Sequence, residues 1–415
     1  MIDRFLDFIE NSPTAWHAVA TLRQQLRKAD FEELHEEKPW SLKPKGRYFT
    51  TRNGSSIVAF IVPAKTVEKA RVLGAHTDSP GFKLKPQALY KKENLLMAGV
   101  EVYGGPLLTS WLNRDLGIAG RVVHLNSKGE AEEKLVFNRE IRLTLPQLAI
   151  HLDRNVNENG LVLNKQEQLA AIVGINNGKK PPSLGDFLGI HHLLAHDLFL
   201  VPLEPPHYIG WKKELIASYR LDNLVGVFAA TEALLAASPS SDTLKIAAFY
   251  DNEEIGSETA QGAGSPFFPH LLERIVADRE TYFRLLPQSL CVSVDLTHAY
   301  HPNYPDKHEV NHKLLMGEGA VVKSHAQHRY ASDARTMGVV AALAAKHKLA
   351  LHAYAARGDI PAGTTIGPIH AHLTGMPTVD MGIAQLSMHA ARELMATSDL
   401  TALVKILTYL IQETA

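Results

Sequence analysis

The strongest constraint in this chain is a pattern that occurs three times: a short, uninterrupted apolar run that ends abruptly in acidic or histidine-bearing residues. Val72-Leu73-Gly74-Ala75 leads into His76-Thr77-Asp78, Leu244 to Phe249 into Asp251-Asn252-Glu253-Glu254, and Leu290 to Val294 into Asp295. A run without polar alternation is what a strand buried on both faces requires. Helical patterns separate the runs. Leu221 to Ala236 places Leu224, Val227, Phe228 and Leu234 on apolar spacing, and Ser332 to Lys346 reads as another helix. Together they predict an α/β fold with a mixed, mostly parallel sheet flanked by helices. Open sheets of this kind bind ligands outside the carboxyl ends of their strands. One histidine and several carboxylates are therefore expected on a single rim.

The first thirty residues read as two helices, one presenting Ile2, Phe5, Leu6 and Ile9, the next Trp16, Val19, Leu22 and Leu26. Tyr48 to Val62 reads as a β-hairpin turned by Asn53-Gly54. Leu349 to Tyr354 and Pro377 to Met381 read as strands, and Met388 to Glu413 as a helix. From about Lys85 to Tyr208 the texture shifts to short apolar runs and many turns, which predicts an inserted β-rich domain. The expected division is 1–86 with 210–415 for the main domain and 87–209 for the insertion.

Composition narrows the function classes. Lys and Arg number 43 against 44 Asp and Glu, a net charge of −1. The basic excess of a nucleic-acid-binding domain is missing, so no nucleic-acid partner is expected. Met1 to Asp7 mixes charged and apolar residues without a secretory core, and the longest apolar run, Leu224 to Ala237, contains Glu232. No membrane contact and a cytoplasmic location are expected. One cysteine, Cys291, excludes an internal disulfide and any Cys₄ or Cys₂His₂ zinc site, while 21 histidines turn attention to nitrogen and oxygen ligands.

The spacings suggest roles. In His76-x-Asp78, alternate residues of an extended chain point the same way, so the carboxylate can hold one imidazole nitrogen and leave the other for a metal. Glu253-Glu254 offers adjacent carboxylates aimed in different directions, one for a metal and one for a water. Each piece alone has an ordinary reading, a polar turn or a helix N-terminus. Their shared place at strand ends favours chemistry.

These stretches, with others, give the chain a resemblance to the M18 metallopeptidases, the aspartyl aminopeptidase family. The matching residues run nearly end to end. They include Ser12-Pro13-Thr14 with Trp16-His17-Ala18-Val19, Ala75 to Pro80, Gly104-Gly105, Asp222-Asn223, Asp251 to Ser257, His301-Pro302-Asn303-Tyr304, Gly363 to Pro368, and Met388-His389. The resemblance implies a zinc-peptidase-like core holding two zinc ions, exchangeable with Co²⁺ or Mn²⁺. His76 and Asp295 would bind one, Glu254 and His389 the other, and Asp222 both. Asp78 would orient His76, and Glu253 would be the general base. A cis Asp222–Asn223 peptide bond is implied as well. His151 would reach the active site of a neighbouring subunit, Lys323 and Tyr330 would contact substrate, and Gly363 and Thr364 would line it. The assembly implied is a homo-oligomer, dimers building a dodecamer, with the insertion forming the dimerisation surface.

The implied activity is removal of the N-terminal residue from peptides with a free N-terminus. The net charge of −1 gives no bulk attraction for acidic peptides, so a preference for N-terminal Asp or Glu would need a local cation, for which Lys323 stands in place. A broader preference for neutral or apolar termini, a related dinuclear deacetylase or carboxypeptidase, and a non-catalytic scaffold are the alternatives. The presence of Glu253 and every implied ligand speaks against the scaffold. One departure is visible: Ala362 stands where many relatives carry a cysteine that is not a metal ligand.

Overall fold

The computed structural model describes residues 1–178 and 180–413, which divide into two compact units. The first comprises Met1–Asp78, His207–Met388 and the chain from Glu393. The second comprises Ser79–Pro206 with the short return His389–Arg392.

The first unit is built on a 13-stranded mixed sheet. At its centre four strands run parallel in the order Thr243–Tyr250, Lys69–His76, Leu290–Val294 and Thr378–Leu386. Ser56–Ile61 joins antiparallel beside Thr243–Tyr250, and Arg47–Arg52 completes the expected hairpin. Every residue of Thr243–Tyr250 and Leu290–Val294 is buried. Alternate side chains feed two cores. Ile246 and Ala248 pack with Phe267, Phe268 and Leu271, whereas Ala247 and Phe249 pack with Leu224, Phe228 and Leu407. Burying each Leu, Ile or Phe contributes about 1.5–3 kcal/mol, which is why these runs are apolar on both faces. Arg71 and Lys245 are tolerated because they sit near the strand starts, where the Lys245 ammonium donates to the Ser238 carbonyl at 2.7 Å. Helices cover both faces. Ile2–Glu10, Ala15–Lys28, Leu221–Ala236, Ala334–Lys346 and Thr397–Gln412 lie on one, and Phe267–Ile275, Arg279–Gln288 and Ile366–Thr374 on the other.

One element differs from expectation. The segment 388–413 is not a single helix: Glu393–Ala396 is a strand, and the helix spans Thr397–Gln412. Residues 393–396 are good helix formers, but they pair antiparallel with Leu215–Ser218 and with Thr378–Leu386. Tertiary pairing overrides a propensity worth only tenths of a kcal/mol per residue. The helix Ile366–Thr374 carries Gly367 and Pro368 in its first turn, where proline is tolerated.

The second unit is a six-stranded antiparallel sheet, ordered Ala131–Leu143, Leu116–Leu125, Leu193–Pro202, Gly81–Lys92, Leu95–Tyr103 and Ala171–Ile175. An isolated bridge joins Thr144 to Ile172. Phe82 packs edge-on to Trp111 at 4.9 Å between ring centres. Asp197 takes ion pairs from Lys83 at 2.7 Å and Arg121 at 2.9 Å. Among the described residues, no helix is long and apolar enough to cross a membrane.

Candidate metal centre

The parallel register gathers the strand ends. His76 closes Lys69–His76 and lies beside Tyr250, the last residue of its neighbour. Asp251 to Glu254 follow Tyr250, and Asp295 follows Val294 on the other side. The helix Leu221–Ala236 adds Asp222 to this rim. Asp222 and Asn223 depart from helical dihedral angles, and the bond between them is cis, as the resemblance implied. The Asn223 amide donates to the Val294 carbonyl at 2.7 Å, and its oxygen accepts the Gly226 N–H at 3.1 Å. One side chain thus fastens the helix start to the end of a central strand.

His76 is the hub. Its Nε2 lies 3.4 Å from Asp222 Oδ1 and 3.9 Å from Asp295 Oδ1. On the opposite side Nδ1 lies 3.1 Å from the Asp78 carbonyl oxygen and 3.4 Å from its carboxylate. The Asp78 carboxylate in turn accepts the backbone N–H groups of Glu253 and Glu254, each at 3.1 Å. It therefore steadies the histidine and the paired glutamates together. Ligand atoms of His76, Asp222 and Glu254 all lie within 4.8 Å of one another. One imidazole nitrogen with carboxylate oxygens is a donor set that zinc accepts, so the residues fit the ion.

Electrostatics agree with a cation site. Burial alone would lower the His76 pKa, but the carboxylates of Asp222, Asp295 and Asp78, with the charge of Glu253, outweigh it and hold it well above its ordinary value. Burial pushes the Glu253 carboxyl far up; the His76 charge opposes this, and Asp295, Glu254 and Asp78 add to it. Asp251 is raised to about 7, by burial first and then by Asp78. So many carboxylates crowded out of water favour a positive ion between them.

Other expected residues fall as follows. Lys323 is only 2% exposed; its ammonium donates to the Leu296 carbonyl at 2.6 Å and lies 3.7 Å from Asp295. It also stands 5.3 Å from the ring centre of Tyr330, whose hydroxyl pKa is raised by burial and then by Asp295 and Asp380. Tyr330 and Gly363 line a cavity of about 310 Å³ that also takes in His298, Lys307, His308 and Arg357. The Thr364 hydroxyl donates to the Arg329 carbonyl at 3.1 Å, tying the two loops. His151 and His389 belong to the second unit. His151 is exposed on a turn, and the His389 Nδ1 lies 3.1 Å from the Gly105 carbonyl.

Two site residues escaped sequence reading. Glu393, 2% exposed, accepts the Asp222 backbone N–H at 3.0 Å. Arg220, 4% exposed, donates to the Thr77 carbonyl between His76 and Asp78. Reading 393–396 as a strand would have raised the question of a buried glutamate there.

The family model for the aminopeptidase I zinc metalloproteases (M18) matches residues 8–410. A probable M18 family aminopeptidase 2 from Stutzerimonas stutzeri is 38% identical over 414 residues, covering 97% of this chain and 96% of that protein. Among solved structures, the cryo-EM structure of the Ape4 and Nbr1 complex matches with a TM-score of 0.94 and 31% identity, covering 98% of this chain and 85% of that one. The S. cerevisiae mApe1 dodecamer matches with a TM-score of 0.85 and 28% identity, covering 98% and 95%.

Proposed function

The chain belongs to the M18 family of zinc metallo-aminopeptidases, and from that premise we propose that it is a dinuclear zinc aminopeptidase preferring an acidic N-terminal residue. The observation that carries the reading is the buried cluster of His76, Asp222 and Glu254 at the carboxyl ends of the central strands. These three would hold zinc, with Asp222 shared between two ions. Asp295, beside His76, would be the further ligand of the first, and His389 would serve the second on the family resemblance alone. Bound zinc supplies Lewis acidity and lowers the pKa of water to roughly 7.

The chain's own residues do the rest. Glu253 takes a proton from the attacking water and later delivers it to the leaving amine. Burial, with Asp295, Glu254 and Asp78 nearby, holds its carboxyl well above its ordinary value, which favours the uptake of that proton. Asp78 keeps His76 in place and, through the Glu253 and Glu254 N–H groups, aims the two glutamates apart. Lys323 and Tyr330 face the side chain of the residue removed, and Gly363 and Thr364 run beside it. The acidic preference is supported by Lys323 and by Lys307 and Arg357 around the neighbouring cavity.

By analogy with the dodecameric relative, the protein is a homo-oligomer in which the second unit forms the contacts and His151 serves a neighbouring copy. A chain whose one cysteine is buried and free suits the reducing cytoplasm. The test is a panel of aminoacyl amides with free amines against their N-acetylated counterparts. Free amines are expected to be cleaved, with activity removed by a chelator and returned by Zn²⁺, Co²⁺ or Mn²⁺. Cleavage restricted to the acetylated set would point to a deacetylase instead.

A further inference from the structure

Asp380 is a fully buried carboxylate that no step above uses. It lies in the central strand Thr378–Leu386, and two loops meet on it. Its Oδ2 accepts the Ala331 backbone N–H at 2.6 Å, and its Oδ1 accepts the Thr365 hydroxyl at 2.5 Å. Its own N–H donates to the Ser332 hydroxyl at 2.8 Å. The Thr365 oxygen also caps the helix Ile366–Thr374 by accepting the Gly367 N–H at 3.2 Å. The approach is so close that a Cβ on Gly367 would lie 2.4 Å from Asp380 Oδ2, so only glycine fits without displacing the carboxylate. Burial raises the Asp380 carboxyl above its ordinary value, while its hydrogen bonds and the charge of Lys323 oppose that rise. A carboxylate suits the place better than an amide, because both oxygens accept, one from an N–H and one from an O–H. Leaving either donor facing an NH₂ group would carry a desolvation cost.

We infer that Asp380 is a positioning residue that locks the 329–332 and 363–365 loops together and so fixes Tyr330, Gly363 and Thr364 against the substrate side chain. The inference rests on the proposed substrate-facing role of those three residues. It acts through them, since Asp380 itself is sealed from the cavity by complete burial.

The test cuts one arm of the clamp while keeping its shape. Thr365→Val removes the hydroxyl, and Thr365→Ser retains it. On the metal-loaded assembly, Thr365→Val is expected to raise KM for aminoacyl amides about tenfold, with kcat within about threefold and bound metal unchanged, and Thr365→Ser to restore KM to within about twofold. Hydrogen exchange reads the coupling without turnover. In Thr365→Val, the amides of Ala331 and Ser332, on the untouched loop, are expected to exchange about tenfold faster. An unchanged KM overturns the inference whatever the exchange shows, and so does a joint loss of kcat and metal. Wild-type protein that cleaves no aminoacyl amide sinks the functional reading instead, and exchange alone then decides whether the clamp exists.

Discussion

The central strands of the first unit and the sheet of the second are both β-structure, yet they spend burial differently. Thr243–Tyr250 is buried at all eight positions, whereas Ala131–Leu143 buries one residue of thirteen and leaves most of the rest exposed. A strand sealed on both faces can carry unpaired charge only where it emerges. Titratable side chains there collect at the carboxyl ends, where His76, Glu253, Glu254 and Asp295 gather. A sheet with one wet face has no such restriction. Its charges scatter along the strands, as Lys83, Arg121 and Asp197 do. A charged residue in the second unit is therefore weak evidence for chemistry, while the same residue at a buried strand end is strong evidence.

The largest test of that contrast is Glu253→Gln. The amide cannot accept a proton, so kcat is expected to fall by about 10²–10⁴-fold with metal content unchanged. Glu254→Gln should instead weaken metal binding. Reversed phenotypes would mean that the two neighbouring carboxylates have exchanged roles.

A smaller effect is expected one step away from the ligands. If Lys323 supplies the acidic preference, the wild type favours Asp- or Glu-amides over Leu-amides by about ten- to a hundredfold in kcat/KM, and Lys323→Met erases the difference. A Met variant that keeps the preference would shift the assignment to the cations around the 310 Å³ cavity. The buried position of Lys323, with its ammonium already on the Leu296 carbonyl, makes this the sharper question.

The third test uses a residue that breaks the burial rule. His370 is 2% exposed, packs at a tilt against Phe268 with 4.7 Å between ring centres, and has no hydrogen-bond partner for either ring nitrogen among the described residues. Burial pulls its pKa from 6.5 down to about 4. As pH falls, the unfolded chain binds this proton before the folded one, so the stability is intact above about 6.5 and drains away towards about 4. The loss from this one group is about 2 kcal/mol at pH 5. His370→Leu is expected to unfold at lower pH than the wild type in an acid titration followed by circular dichroism. His17, also lowered to about 4 by burial and then by Arg220, keeps part of the pH dependence in place.

The same contrast explains what could be read in advance. The apolar runs before His76, Asp251 and Asp295 predicted the core sheet and its reactive rim, because burial on both faces leaves an unmistakable pattern. Asp222 needed the family resemblance to receive a role, and so did the choice of which of Glu253 and Glu254 binds metal, since a carboxylate at the end of an apolar element does not say what it binds. Glu393 and Asp380 stayed hidden. One lies in a segment whose local propensity is helical and whose pairing partner at Glu393 itself, Ser218 in Leu215–Ser218, lies more than a hundred residues away in sequence. The other is a lone aspartate inside an apolar strand, where only tertiary contacts with Ala331 and Thr365 disclose its purpose. His151 and His389 illustrate the opposite limit. They lie in irregular segments of the second unit, where no periodic signal separates a ligand from a surface histidine.

The central claim is that the buried strand ends of the first unit form a metal centre on which activity depends. The most direct measurement is zinc bound per chain, by elemental analysis, in the wild type and in His76→Ala, alongside hydrolysis of a free-amine dipeptide. The account predicts two zinc ions per active chain, and loss of bound metal together with activity when His76 is replaced or a chelator is added. Full turnover in metal-free protein, or His76→Ala protein that keeps both its zinc and its activity, would contradict it.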